Sequence, residues 1–115
     1  DQNGHQAGDA ALVQVSNAAQ AAFRANDVWC RYGGEEFVAL LPNTSLERAL
    51  LVAERLRCSV EKTAIHASAA SLNISVSVGV AERLSTHAHW AELLAAADSA
   101  LYKAKEAGRN RVFAA

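Results

Sequence analysis

The chain has 115 residues and a formal net charge of −1 at pH 7, with 51% hydrophobic and 20% charged residues. This composition excludes intrinsic disorder and predicts one globular domain able to bury a core. It also excludes a molecule-wide field that would gather nucleic acid or anionic lipid, so an anionic ligand must be held by local donors. The basic segment from Lys103 to Arg111 is the candidate source of them. No apolar run approaches the roughly 20 residues that cross a bilayer, and no signal peptide opens the chain. Cys30 and Cys58 show neither metal-ligand nor CxxC spacing, which suggests a reducing compartment and no disulfide. The chain begins at Asp1 and not at a start methionine, which hints at an excised segment whose parent could carry a membrane anchor elsewhere.

In chain order, helical spacing of Leu12, Val13, Ser16, Ala19, Ala22 and Phe23 predicts a helix from about Asp9 to Arg24. Val28–Tyr32 and Glu36–Leu41 read as strands joined by a Gly33-Gly34 hairpin turn, the second strand ending at Pro42. Thr44 and Glu47 form a capping box that opens a helix running to about Val60, with Leu46, Leu50, Ala53 and Leu56 on one stripe. Residues 61–71 read as an irregular loop. Leu72 to Val80 alternates apolar and polar residues and predicts one strand. A last helix spans about Trp90 to Ala107 and stops at Gly108, followed by a short edge strand over 111–114. The order α-β-β-α-β-α-β implies an α/β (α+β) domain, a mixed sheet flanked by helices.

Arg31-Tyr32-Gly33-Gly34-Glu35-Glu36-Phe37 is the most informative segment. A Gly-Gly turn admits close approach of backbone to a bulky ligand, and the carboxylates that follow can bind a hard cation. On these residues alone, a plain hairpin turn with a polar exit is an equal reading. Lys105 and Arg109 lie four apart around the end of the last helix and can converge on one anion, although spacing alone favours charges that complement the helix dipole. Arg24 and Asp27 suit guanine, through O6/N7 and N1/N2 respectively, although an arginine near a helix end is usually a capping charge. His5, His66, His87 and His89 show no ligand geometry. Trp29 and Trp90 read as core-edge packing, and Cys30 as a small buried hydrophobe.

The wider sequence resembles the GGDEF domains, the diguanylate cyclases, in the variant with Glu at the central position. The resemblance rests on RYGGEEF together with Gly4-His5, Gly8-Asp9, Leu41-Pro42, Ala53-Glu54-Arg55-Leu56-Arg57, Ser75-Val76-Ser77-Val78-Gly79-Val80, Ala97-Asp98, Ala100-Leu101-Tyr102, Ala104-Lys105 and Gly108-Arg109-Asn110-Arg111, in order. It implies a fold like the palm of polymerases and nucleotidyl cyclases. It implies two such domains, antiparallel, condensing two GTP into cyclic di-GMP and two pyrophosphates with Mg²⁺ (or Mn²⁺). Carried over by match, Glu35 is a metal ligand and Glu36 the candidate base or transition-state partner. Gly33 and Gly34 let the loop pass the nucleotide, Asp9 accepts from guanine, and Lys105 and Arg109 hold the β- and γ-phosphates. Arg24 and Asp27 match the RxxD site of product inhibition, with Arg55 as its accessory arginine.

The chain departs from the family's pattern at its start. The family's first strand, central in the sheet and carrying an Asp metal ligand, is not in it, so residues 1–115 read as a single domain lacking that strand. The parent is expected to be a cytoplasmic enzyme or one anchored through an upstream region. This segment is expected to have no nucleic-acid polymer partner and no membrane contact, and to be inactive by itself. A catalytically inert module that binds cyclic di-GMP or GTP is the alternative, and a dimerisation scaffold a third.

Overall fold

The protein was analysed as a computed structural model, which describes residues 2–33, 36–62, 64–67 and 70–115. Helix α1 (Gln2–Ala22) leads to β1 (Val28–Gly33) and β2 (Glu36–Leu40). Then come α2 (Leu46–Lys62), β3 (Ala64–Ala67), β4 (Ala70–Asn73), β5 (Val78–Val80), α3 (Trp90–Glu106) and β6 (Val112–Ala114). β1–β2 and β3–β4 are antiparallel pairs, while β5 and β6 run parallel, each pair a separate two-stranded sheet among the described residues. The expected mixture of strand directions is present, divided among three ladders.

The core is lined by small side chains. Among the described residues Ala18 and Ala19 of α1, Ala53 and Val60 of α2, and Ala100 and Ala104 of α3 are its buried apolar residues. On α2 the half-buried Leu46, Leu50 and Leu56 continue the stripe of Ala53 and Val60, as its 3.6-residue period requires. α3 lies on β5 and β6, α2 touches both strands as well as α1, and α1 also meets β3. Close approach of α3 to β5 depends on Gly79: a Cβ there would lie 2.1 Å from the Ala97 carbonyl oxygen and 2.3 Å from the Leu101 nitrogen.

Several sequence-based expectations are corrected. α1 begins at Gln2 and not near Asp9, so Gly4 and Gly8 also lie within it. It also stops two residues before Arg24. Val13 is 59% exposed, because the buried face passes through Ala18 and Ala19. Ser45, not Thr44, caps α2: its Oγ accepts from the Arg48 N–H at 3.2 Å, the N3 donor. The expected loop over 61–71 contains β3 and the first half of β4, a hairpin whose short strands carry three alanines and only one β-branched residue, Ile65. The single strand expected over 72–80 is divided, because 70–73 pair with β3 and 78–80 with β6. Trp90 is 72% exposed and not at a core edge, and Cys30 is exposed, a free thiol on β1. Trp29 does pack, its ring centroid 5.3 Å from that of Phe37 across the hairpin. No helix among the described residues is long and apolar enough to cross a membrane.

Candidate functional site

The signature segment forms a hairpin whose register places its chemistry. Val28 pairs with Leu40 and Arg31 with Phe37, but Gly33 then pairs with Glu36. Tyr32 is thus the extra residue of a bulge, and Gly33, expected in the turn, is the last residue of β1. Gly34 and Glu35 lie outside the described residues. Glu36 opens β2 with its carboxylate half exposed, and Lys105 reaches it from the last turn of α3, Nζ to Oε1 3.8 Å. An exposed pair at that distance contributes at most about 1 kcal/mol to stability, so its significance lies in placement. At Gly33 a Cβ would meet nothing within 4 Å. Folding therefore leaves room for a side chain there, and a need for glycine would have to come from a ligand.

Helix α3 ends in a complete Schellman motif. The Gly108 N–H donates to the Lys105 carbonyl at 3.3 Å and the Arg109 N–H to the Ala104 carbonyl at 2.9 Å, with Gly108 at φ 122°. Lys105 and Arg109 therefore belong to one helix terminus, although the chain turns sharply between them. Arg109 is exposed, and Arg111 Nε donates to its carbonyl at 3.0 Å. Asp9 is exposed on α1. Among the described residues no group of three or more His, Cys, Asp or Glu side chains could hold a metal ion.

A polar cluster on α2 meets the turn after α3. Arg57 lies against Glu54 at 2.5 Å and Glu61 at 3.5 Å, and its Nη1 donates to Asn110 Oδ1 at 2.9 Å. The Arg57 guanidinium, chiefly through its hydrogen bond, holds the Glu54 carboxyl below its ordinary range; desolvation opposes this and Cys58 assists. A lowered folded-state value stabilises the protein above the usual glutamate range, and that contribution is lost as pH falls through it. Glu54→Gln is accordingly expected to flatten the decline of melting temperature between about pH 5 and pH 3. An unchanged slope in thermal scans across that window would exclude the effect.

The Arg24–Asp27 segment is a closed turn. The Asp27 N–H donates to the Arg24 carbonyl at 3.0 Å, and the Arg24 N–H donates to Asp27 Oδ2 at 2.8 Å. The guanidinium Nε is 3.8 Å from the same oxygen, and Nη2 donates to Thr44 Oγ1 at 2.7 Å, which ties the turn to the segment before α2. The Asp27 side chain is 2% exposed, and its Oδ1 is buried with no hydrogen-bond partner. The structure thus brings Arg24 and Asp27 together. Arg55 is exposed on α2, with no hydrogen bond or ion pair to either among the described residues. The Arg57–Asn110 cluster was missed from sequence; only the stop of α3 at Gly108 was legible.

The Glu36 carboxylate of the hairpin thus faces the basic end of α3, on an α/β scaffold with three helices among the described residues. The sequence matches the family described as diguanylate cyclase, GGDEF domain, over residues 1–111. The chain belongs to the GGDEF family. It is 41% identical over 112 residues to diguanylate cyclase A of Treponema denticola, covering 97% of this chain and 30% of that protein. The active GGEEF domain of a diguanylate cyclase from Vibrio cholerae superposes with a TM-score of 0.87 at 31% identity, covering 93% of this chain and 67% of that one. The GGDEF domain of DgcB from Caulobacter crescentus, solved in complex with c-di-GMP, gives 0.90 at 32% identity, over 96% and 66%. The chain spans a quarter to a third of the length of the curated relatives it matches.

Proposed function

We propose that the protein carrying this chain is a diguanylate cyclase working as an antiparallel homodimer on GTP. The observation that carries the reading is the approach of Lys105 to Glu36, which joins the carboxylate of the signature hairpin to the cationic end of α3. In each half-reaction the 3′-oxygen of one GTP attacks the α-phosphorus of the other and pyrophosphate leaves. Two such steps close cyclic di-GMP. Lys105 and Arg109 hold the β- and γ-phosphates, while Gly33 and Gly34 let the loop pass the nucleotide and Asp9 accepts from guanine. Glu36 takes the proton of the attacking hydroxyl or organises the charge that develops there.

Glu35 and Glu36 suit a Mg²⁺ or Mn²⁺ ion, because a hard cation of this size takes one or two carboxylates and completes its shell with phosphate oxygens and water. When bound, the ion neutralises triphosphate charge and lowers the pKa of the attacking hydroxyl. Incubation of the full protein with GTP and Mg²⁺, followed by chromatography, tests the reading. Cyclic di-GMP supports it; no product from folded, dimeric protein would leave an inert nucleotide-binding module.

The reading includes product feedback at Arg24 and Asp27, with Arg55 as accessory. What supports it is that Arg24 and Asp27 meet in one turn, with the guanidinium half-exposed and able to donate to guanine O6 and N7. Arg24→Ala is expected to raise the cyclic di-GMP concentration for half-inhibition by about tenfold or more, the loss of one charged bidentate contact. An inhibition curve that superposes on the parent's would remove the site from the proposal.

A further inference from the structure

The turn that follows α3 is conformationally costly and is held from outside. Arg109 and Asn110 are consecutive non-glycine residues at φ 63° and 50°, a region where Cβ crowds the following carbonyl oxygen and which single residues enter only when their surroundings over-determine it. The surroundings do so at Asn110. Its N–H donates to Ser77 Oγ at 3.1 Å, its Oδ1 accepts from Arg57 and its Nδ2 donates to the Glu61 carboxylate. Arg57 is itself 16% exposed and gripped by Glu54 and Glu61 of its own helix. Helix α2, through Arg57 and Glu61 on the side chain, and Ser77, on the backbone N–H, therefore hold one residue from two places in the chain, and the residue just before it is Arg109.

We infer that Arg57 and Asn110 are positioning residues, and that their clamp fixes the direction in which Arg109 leaves the end of α3 and so sets the affinity for the triphosphate. The inference rests on the proposed role of Lys105 and Arg109 as phosphate ligands. Neither Arg57 nor Asn110 is required to touch nucleotide. A guanidinium on a three-carbon stem loses much of its anion affinity when its backbone is free to choose among turns, because the ordering cost then falls on binding. The clamp meets that cost during folding.

The test is a double-mutant cycle on the full protein, read by calorimetric titration with a non-hydrolysable GTP analogue and Mg²⁺. Asn110→Gly keeps the left-handed backbone accessible while deleting the amide, and Arg57→Ala removes the clamp from the other side. Each is expected to weaken binding by about three- to tenfold, and Arg109→Ala by about tenfold. In the Arg109→Ala background, Asn110→Gly and Arg57→Ala are expected to cost nothing further, because they act through the missing side chain. If their penalties persist undiminished there, the clamp is merely structural and the inference is overturned, with the phosphate reading intact. If Arg109→Ala alone binds like the parent, the phosphate reading falls and takes the inference with it. Should Arg57→Ala fail to fold, Asn110→Gly completes the same cycle by itself.

Discussion

Glu36→Gln is expected to lower cyclic di-GMP formation by about a thousandfold or more while leaving the fold intact, within the range typical for loss of a positioned acid–base group. Glutamine keeps the size and shape of the side chain at the start of β2 but cannot take a proton or present a charge. Among the described residues the only ion pair it loses is the half-exposed contact with Lys105 at 3.8 Å, so the melting temperature should move by less than about 5 °C. Binding of cyclic di-GMP through Arg24 should be unaffected, because that turn is built from its own backbone and Thr44. Activity assay, thermal scan and product titration on one preparation separate these outcomes. Turnover above about a tenth of the parent's would remove Glu36 from the chemistry.

Gly79→Ala is expected to be the most damaging small substitution in the scaffold. The new methyl carbon would have to occupy positions 2.1 Å from the Ala97 oxygen, 2.3 Å from the Leu101 nitrogen and 2.9 Å from the Leu101 Cα. All three are backbone atoms, so no rotamer change relieves the clash. Either α3 lifts from β5 or the strand shifts, and such overpacking costs about 1–3 kcal/mol and sometimes more. For a domain of this size that corresponds to a melting temperature lower by roughly 5–20 °C. Gly33→Ala is the internal control, because a Cβ at Gly33 meets nothing within 4 Å. Equal melting temperatures for the two variants would contradict the packing described for α3 on β5.

The sequence shows periodicity well and partnership poorly. The stripe on α2 and the span of α3 were legible because burial of one helical face imposes a 3.6-residue period on the residues themselves. The hairpin was legible too, but β1 runs on through Gly33, since a bulge at Tyr32 adds a residue that no local pattern announces. Alternation over 72–80 identified two faces but not the change of partner, which depends on β3 and β6 at distant places in the chain. Thr44 and Ser45 are both competent caps, and the choice was settled by Arg24, which engages the Thr44 hydroxyl from 20 residues away. The same holds for the candidate site. Lys105 and Arg109 were visible as a basic helix end, whereas the contact of Arg57 with Asn110 spans 53 residues and has no signature short of the fold.

The division of the strands into three separate ladders bears on how the molecule opens. Hydrogen bonds of β1 are shared only with β2 among the described residues, and an isolated two-stranded hairpin is marginal in water. Among the described residues, therefore, no ladder carries the opening of this hairpin on to β5 and β6, and its tie to α3 is the half-exposed ion pair of Glu36 with Lys105. Its free energy of local opening lies below that of the whole domain. In residues 1–115 anything that docks on this hairpin acts on a loosely coupled part, and a strand paired along its edge would tie it more firmly to the scaffold.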